Sequence, residues 1–422
     1  MIPRIISWTL ITIFLLSAQP EQSVRKLKTR YGFTVDRLQP ITYQLFVHRT
    51  SDWKPVIFLA VDVQNDLLQF VKTDGGYQSK FRVSVAIRDN QENLTNKNSW
   101  NETAFLKDFE ETNSKTQFQY RLYSLDVFAK DWAGKRSGKF QLYLEVNDLI
   151  SNNHYPFKKA FQIDTIDGDW ASTEIAFLKD RADSTHFPLM GRDKVLRFNH
   201  PAWAFARLKN NQVQTLTFNI RLYQQEEEGK KLIRQNFFSI NGEQGIFDVQ
   251  TKLPMDSLDE GKYLLRLSCQ KWQKEREFQI FWFEKPTYLY RYDLAIRPMK
   301  LILDEKTFKH AKSLSYDELA KWFKDYWKKR DPTPGTAYNE LLAEFYNRVQ
   351  TANKKYSNRH REGWETDRGR IYILYGQPKE IDDHRYAAET KPYQIWIYSD
   401  SLQFMFVDRN GDGEFELVNE EK

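Results

Sequence analysis

Four polar side chains crowd one short stretch near the C-terminal end: His360, Glu362, Asp367 and Arg370. A carboxylate beside a histidine can move protons, and a guanidinium can steady a developing negative charge. Such chemistry also needs a nucleophile, a base within hydrogen-bond reach and a group that orients the base. No known catalytic spacing surrounds this cluster. The chain has no Gly-x-Ser-x-Gly elbow, no Walker loop and no dinucleotide fingerprint. His360 with Asp382, Asp383 and His384 offers nitrogen and oxygen atoms that a metal could take, but without the tight spacing of a zinc motif. The expectation is therefore no catalytic residue, no metal and no cofactor.

Asp408-Arg409-Asn410-Gly411-Asp412-Gly413 matches the first half of a calcium loop. Asp408, Asn410 and Asp412 stand at the first, third and fifth ligand positions, with Gly413 at the sixth. The closing position, which needs a bidentate glutamate, holds Asn419. The flanks alternate like strands, so a tight β-hairpin turn accounts for the same residues.

Between these candidates lies Gly363-Trp364-Glu365-Thr366-Asp367-Arg368-Gly369. Each position has a structural explanation. Gly363 can take a positive φ between helix and loop. Trp364 is a large apolar plug. Thr366 and Asp367 can hydrogen-bond neighbouring backbone amides ahead of Gly369. Arg368 or Arg370 can pair with Asp367 or Glu365. The competing reading makes His360, Glu362, Asp367 and Arg370 an acid/base group beside a cleft.

The elements that must hold these residues follow from hydrophobic period. Phe81, Val83, Val85 and Ile87 alternate on one face of a strand, and 117–122 and 139–146 alternate in the same way. A second β region has strands at 217–222 and 261–267 around a charged hairpin tip at 224–231. Gly138-Lys139-Phe140-Gln141-Leu142-Tyr143-Leu144 and Gly261-Lys262-Tyr263-Leu264-Leu265-Arg266-Leu267 share Gly-Lys-aromatic-x-Leu-x-Leu, which predicts two sandwiches of one topology. Asp167-Gly168-Asp169 falls at the joint between them. Beyond Pro286 the period becomes helical. Ser315 with Glu318 makes a capping box, and Leu319, Trp322, Phe323, Tyr326 and Trp327 form an apolar stripe. A second helix is expected from near Thr336, then the signature on a loop, then strands at 370–375, 393–398, 402–407 and 414–418.

Composition limits the function classes. Lys and Arg number 63 against 57 Asp and Glu, a net charge of +6, with both signs mixed along the chain. Arg25-Lys26-Lys28-Arg30 and Lys328-Lys329-Arg330 are the densest basic clusters. No reader fold for nucleic acid accompanies them, so nucleic acid is not an expected partner. Cys269 is the sole cysteine and alternates in phase with Leu265 and Leu267, as a buried apolar residue would. Trp100, Trp132 and Trp170 fall in turn-rich segments, where they could stack on sugars or fill joints. Arg4 followed by the apolar run 5–16 and by Ser17-Ala18 reads as a secretory signal with cleavage near Ala18. It is too short to span a bilayer, which takes about 18 or more apolar residues. No transmembrane span is expected in the mature chain.

The stretch Gly363–Pro378, with Arg330–Thr336, Asn339-Glu340 and Glu344–Val349 upstream, resembles the GWxTD-domain family of exported bacterial proteins. That resemblance covers the last third of the chain and brings no established activity. The organisation expected is a signal peptide at 1–18, a linker at 19–38, β-sandwiches at 39–163 and 164–285, and the GWxTD region at 286–422. The fold class expected is mainly β. Two tandem antiparallel Ig-like sandwiches precede a small α+β domain in which two helices pack on a three- or four-stranded antiparallel sheet. The functional expectation is an extracytoplasmic binding or scaffolding protein whose partner is another envelope protein or a surface glycan. The alternatives are glycan or peptide recognition by exposed aromatics of a sandwich, and a hydrolase using carboxylates near the signature.

Overall fold

The computed structural model describes residues 24–29, 31–128, 137–164, 170–183, 186–212, 214–243, 245–386 and 390–421. The expected signal segment, the 167–169 joint and Trp132 lie outside the described residues. Within the stretch read as a linker lies a hairpin, β1 (Val24–Lys28) paired antiparallel with β2 (Thr34–Leu38). Its charged residues gave no alternation because a two-stranded ribbon has no core of its own.

The first sandwich comprises β3 (Ile41–Arg49), β4 (Pro55–Gln64), β5 (Val71–Thr73), β6 (Gly76–Asp89), β7 (Leu94–Leu106), the one-turn helix α1 (Phe109–Thr112), β8 (Phe118–Asp126), β9 (Gly138–Asp148) and β10 (His154–Ile163). One sheet has the order β3-β4-β8. The other runs β10-β9-β6, with β7 and the short β5 both paired to β6. The second sandwich comprises β11 (Ala171–Ser172), β12 (Ala176–Leu178), β13 (Val195–Arg197), β14 (Trp203–Lys209), β15 (Thr215–Glu226), β16 (Gly229–Asn241), β17 (Ile246–Lys252), β18 (Gly261–Cys269) and β19 (Trp272–Phe281). Its sheets repeat the plan: β14 lies between β12 and β17, and the larger sheet runs β13-β19-β18-β15-β16. The two matching heptapeptides open equivalent strands, β9 and β18. Gly138 and Gly261 enter them at φ of 120° and 156°, a turn that a side chain would strain. The two sandwiches thus share one plan, and Cys269 sits in the second core, where burial pushes its thiol up to about 11.

The sandwiches are not beads on a string. Ile57, Leu59, Val61 and Val63 of β4 point into the first core, while Phe58 and Ala60 point the opposite way. There they meet Ala176, Leu178, Trp203 and Phe205 of the second sandwich in a separate apolar cluster. The small sheet of each sandwich is therefore buried on both faces, and four sheets stack in one block. The polar part of this joint is tightly paired. Asp62, 2% exposed, lies 3.1 Å from Arg192, whose guanidinium sits between Phe118 and Phe283 at 4.6 and 4.5 Å from their ring centres. Burial pushes the Asp62 carboxyl up, and Arg192 and Lys179 oppose that rise. A Cβ on Gly191 would lie 2.5 Å from the Asp62 carboxylate, so only glycine lets the chain pass.

The C-terminal domain holds the short α2 (Tyr292–Ala295), α3 (Glu305–Ser313), α4 (Tyr316–Lys328), α5 (Glu340–Tyr356) and α6 (Asp367–Tyr375), then β20 (Glu380–His384), β21 (Tyr393–Ser399), β22 (Leu402–Asp408) and β23 (Phe415–Glu421) as one antiparallel sheet in chain order. Ser315 caps α4 through Glu318 as expected, and Asn339 caps α5. Residues 370–375, expected as a strand, are helical. Ile371 packs on the sheet with Trp396, Phe404 and Phe406, and Ile373 packs on the helices with Tyr346 and Val349. A helix wedged between two cores buries residues on opposite sides, and i and i+2 lie about 200° apart, which imitates strand alternation. The sheet is thus covered by α6 and the end of α5, while α4 packs on α5. Tyr338 fixes the domain to the second sandwich against Phe198 and Trp282. Among the described residues no helix is long and apolar enough to cross a membrane.

His48 of β3 gives the joint between sandwiches a pH dependence. Its ring lies within 5.0–5.6 Å of Phe58, Phe187 and Phe205, and its Nδ1 is buried without a partner. Burial first, and Arg207 second, lower its pKa from 6.5 to about 4, against the opposing pull of Asp248. The folded state thus holds His48 neutral where the unfolded chain takes up a proton. This stabilising contribution is complete above pH 6.5 and is lost as pH falls towards 4. Urea midpoints measured across that window should drop less steeply for His48→Gln than for the wild type; parallel curves would refute the assignment.

Candidate functional site

The signature is a place where three backbones touch. Residues 363–365 form a single 3-10 turn lying on α5 at the N-terminus of α6. A Cβ on Gly363 would lie 1.9 Å from the carbonyl oxygen of Ala352, and one on Gly369 would lie 1.7 Å from the carbonyl oxygen of Gly363. Gly363 does not take a positive φ. Its glycine is required by close approach, not by conformation, a correction to the sequence reading. The Gly363 amide donates to Ser357 Oγ at 2.8 Å, and the Trp364 amide donates to Asn353 Oδ1 at 3.1 Å, so α5 satisfies the turn.

Thr366 caps α6. Its Oγ1 donates to the Gly363 carbonyl at 2.8 Å and accepts from the Gly369 amide at 3.1 Å. Asp367 serves a more distant partner than the neighbouring amide expected. Its carboxylate accepts from the Leu417 amide of β23 at 2.9 Å and lies 3.5 Å from Arg370. Arg368 lies over Phe415, 4.1 Å from the ring centre, and donates to Gln394 Oε1 and to the Gly413 carbonyl, each at 3.3 Å. Helix and sheet are therefore joined by Asp367 and Arg368 of the signature.

Glu362 is the polar hub. Its Oε1 accepts from the Tyr31 hydroxyl at 2.7 Å, and its Oε2 accepts from the Tyr288 hydroxyl at 2.5 Å and from the Trp364 indole at 2.9 Å. Arg297 stands 3.5 Å away. Burial raises the carboxyl's pKa, but the three donors and Arg297 outweigh burial and hold it below its ordinary value. Burial and the bond to Glu362 push the Tyr288 hydroxyl well above the usual tyrosine range. None of Tyr31, Tyr288, Asn353 and Arg297 is named for this site by sequence alone. They come from the N-terminal hairpin, α5 and the helical entry, and no sequence spacing relates them.

The four candidate acid/base residues do not converge. Glu362 faces the N-terminal hairpin and Asp367 faces β23. His360 and Arg370 are exposed, and the His360 amide donates to Asn358 in a local turn. His384 pairs with Asp382 at 2.8 Å and stacks on Tyr393, while Asp383 pairs with Arg385. Among the described residues no group of three His, Cys, Asp or Glu is placed to hold a metal. In the half calcium loop, the Asp408 carboxylate already accepts from the amides of Gly411, Asp412 and Gly413 at 2.7–3.2 Å. Asp412 accepts from the Glu414 amide, and Asn410 is exposed. Gly411 and Gly413 take φ of 70° and 84°, as this β-hairpin turn demands.

Residues 261–422 match the GWxTD domain. The chain carries a GWxTD domain. The match begins at Gly261, so the GWxTD family pattern takes in the last hairpin of the second sandwich, β18 and β19, as well as the α+β domain. No curated protein matches the chain. Among solved structures, that of red sea bream transglutaminase is similar at 8% identity and a TM-score of 0.18, over 58% of this chain and 32% of that one. The chain thus spans about a third of that protein's length, and so weak a likeness says nothing about fold or chemistry here.

Three outcomes test the GWxTD site. Gly363→Ala should cost about 3 kcal/mol, the upper end of overpacking penalties, and Trp364→Ala about 3–5 kcal/mol; wild-type urea midpoints would show the turn to be free of α5. Glu362→Gln should speed amide exchange across residues 24–38 while the C-terminal domain stays protected. The wild-type contribution has a defined sign, being complete above pH 4.5 and lost as pH falls through the lower folded value. Calcium should leave the melting temperature unchanged, because the Asp408 oxygens are occupied by amides; a micromolar site abolished by Asp408→Ala would contradict the hairpin assignment.

Proposed function

We propose that this GWxTD protein is an exported, non-enzymatic binding or scaffolding module of a bacterial cell envelope, with another envelope protein or a surface glycan as its partner. One observation carries the reading. Glu362, Asp367 and Arg368 are each bonded to a distant part of the same chain, and Thr366 closes the turn on Gly363 and Gly369, so these polar groups hold the fold. A stack of four sheets with a domain fixed to its side is a rigid support, suited to presenting a surface at a set distance and angle. The apolar segment at 5–16 supports export.

The glycan or peptide reading draws on exposed aromatics, and one group favours it. Phe109 and Phe105 are 61% and 51% exposed, and Phe109 lies 5.6 Å from Tyr77. Trp100 and Trp170 give it no support: the first stacks on Tyr123 at 4.2 Å and the second packs against the second sandwich core. The hydrolase reading draws no support from the geometry, since Glu362 and Asp367 face different partners.

N-terminal sequencing of protein from the envelope fraction should begin near Gln19. Affinity capture with the mature chain should retrieve the same partner for the wild type, His360→Ala and Arg370→Ala. An intact Met1 on a cytosolic protein would overturn the export reading. A hydrolytic activity lost in either variant would overturn the non-enzymatic one.

A further inference from the structure

The basic lead-in has a use that its sequence does not disclose. Docking of the N-terminal hairpin on the C-terminal domain leaves a cleft of about 450 Å³ between β1, β2, the 286–290 segment and α5. Lys28, Arg37 and Lys354 line it, and among the described residues no carboxylate does. These cations come from three separate elements, so the fold itself brings them together. Repulsion is compounded within the hairpin, where Arg25 stands directly opposite Arg37 across the strands and keeps its buried Nε without a partner. Like charges gathered with little counter-charge destabilise a site until an anion enters it. The partners these cations have are weak: Lys354 reaches Glu110 at 3.4 Å with both side chains about two-thirds exposed, and Arg37 lies 5.8 Å from the Tyr290 ring centre.

The remaining lining is hydroxyl and amide: Thr29, Thr287, Gln350 and Asn353, with the Tyr31 and Tyr288 rings as walls. The volume falls in the range of small-molecule sites, about 300–1,000 Å³, and exceeds what a bare inorganic anion fills. Amide and hydroxyl groups suit a polyhydroxyl body. We propose that this cleft binds a phosphorylated polyhydroxyl group, of the kind found in a sugar phosphate or in the headgroup of a phosphoglycan or phospholipid. Lys28, Arg37 and Lys354 hold the phosphate, and Gln350, Asn353 and the threonines hold the hydroxyl-bearing part. Glu362 is a positioning residue: it touches no ligand but fixes Tyr31 and so the hairpin that carries Lys28 and Arg37. The site stands apart from the partner named above, and either can fail without the other.

The test is calorimetric titration of the mature chain with inorganic phosphate, glucose 1-phosphate and glucose, alongside sedimentation with phosphatidylcholine vesicles with and without phosphatidylglycerol. Glucose 1-phosphate should bind more tightly than either fragment and weaken with salt. Lys28→Gln and Lys354→Gln should each weaken it about tenfold with an unchanged melting temperature, because both side chains are at the surface. Glu362→Gln should weaken it while exchange across 24–38 rises. Vesicle binding that needs phosphatidylglycerol and falls in the same two lysine variants would identify the headgroup as the source and support the site. Equal binding by wild type and both lysine variants, glucose binding as well as its phosphate, or vesicle binding unaffected by the two variants would overturn it.

Discussion

No Cβ fits at residues 363 and 369, and the C-terminal domain depends on that. With hydrogen alone at both positions, the signature turn lies directly on the backbone of α5, and α6 starts against the turn. From there Trp364 enters the helical core, Asp367 and Arg368 reach the sheet, and Glu362 faces the hairpin from the other end of the chain. A shift of the turn by the width of a methyl group would displace all of these contacts together. Packing of this density, not reactivity, explains why two glycines bracket a tryptophan, a threonine and an aspartate.

The β block rests on a different balance. Its central joint buries apolar rings beside Asp62 and Arg192, groups that are costly to remove from water. Replacing such a pair with apolar residues often leaves stability unchanged, so the pair is better understood as fixing register. Gly191 can pass only where the Asp62 carboxylate stands, and Arg192 fits only between Phe118 and Phe283. These two contacts thus restrict how the sandwiches can sit against one another.

Much of the architecture was legible in the sequence. Strict alternation marked the central strands, the repeated Gly-Lys-aromatic-x-Leu-x-Leu marked equivalent strands of two like sandwiches, and Ser315 with Glu318 marked a helix start. What failed did so for physical reasons. Ile371 and Ile373 look like a strand because α6 is buried on opposite sides. Gly363 was assigned a turn conformation because sequence shows which residue is small, not what approaches it. The N-terminal hairpin went unread because its stability is supplied by other elements: Leu38 packs with Val195 and Phe283, and Tyr31 bonds to Glu362. Of the site, the signature was visible, whereas Tyr31, Asn353 and Arg297 were invisible because their roles exist only in three dimensions.

The bond between Tyr31 and Glu362 spans 331 positions of chain. Its equilibrium cost is modest, since loop-closure entropy rises only with the logarithm of length, about 0.6 kcal/mol per doubling. The consequence lies in the order of biosynthesis. The hairpin is synthesised well before the residues that receive it, and both sandwiches lie between them in the chain. Until Glu362 is made, the hairpin is held at its Leu38 end, on Val195 and Phe283. The bond between hydroxyl and carboxylate can close only then, so it comes late in the assembly of the fold.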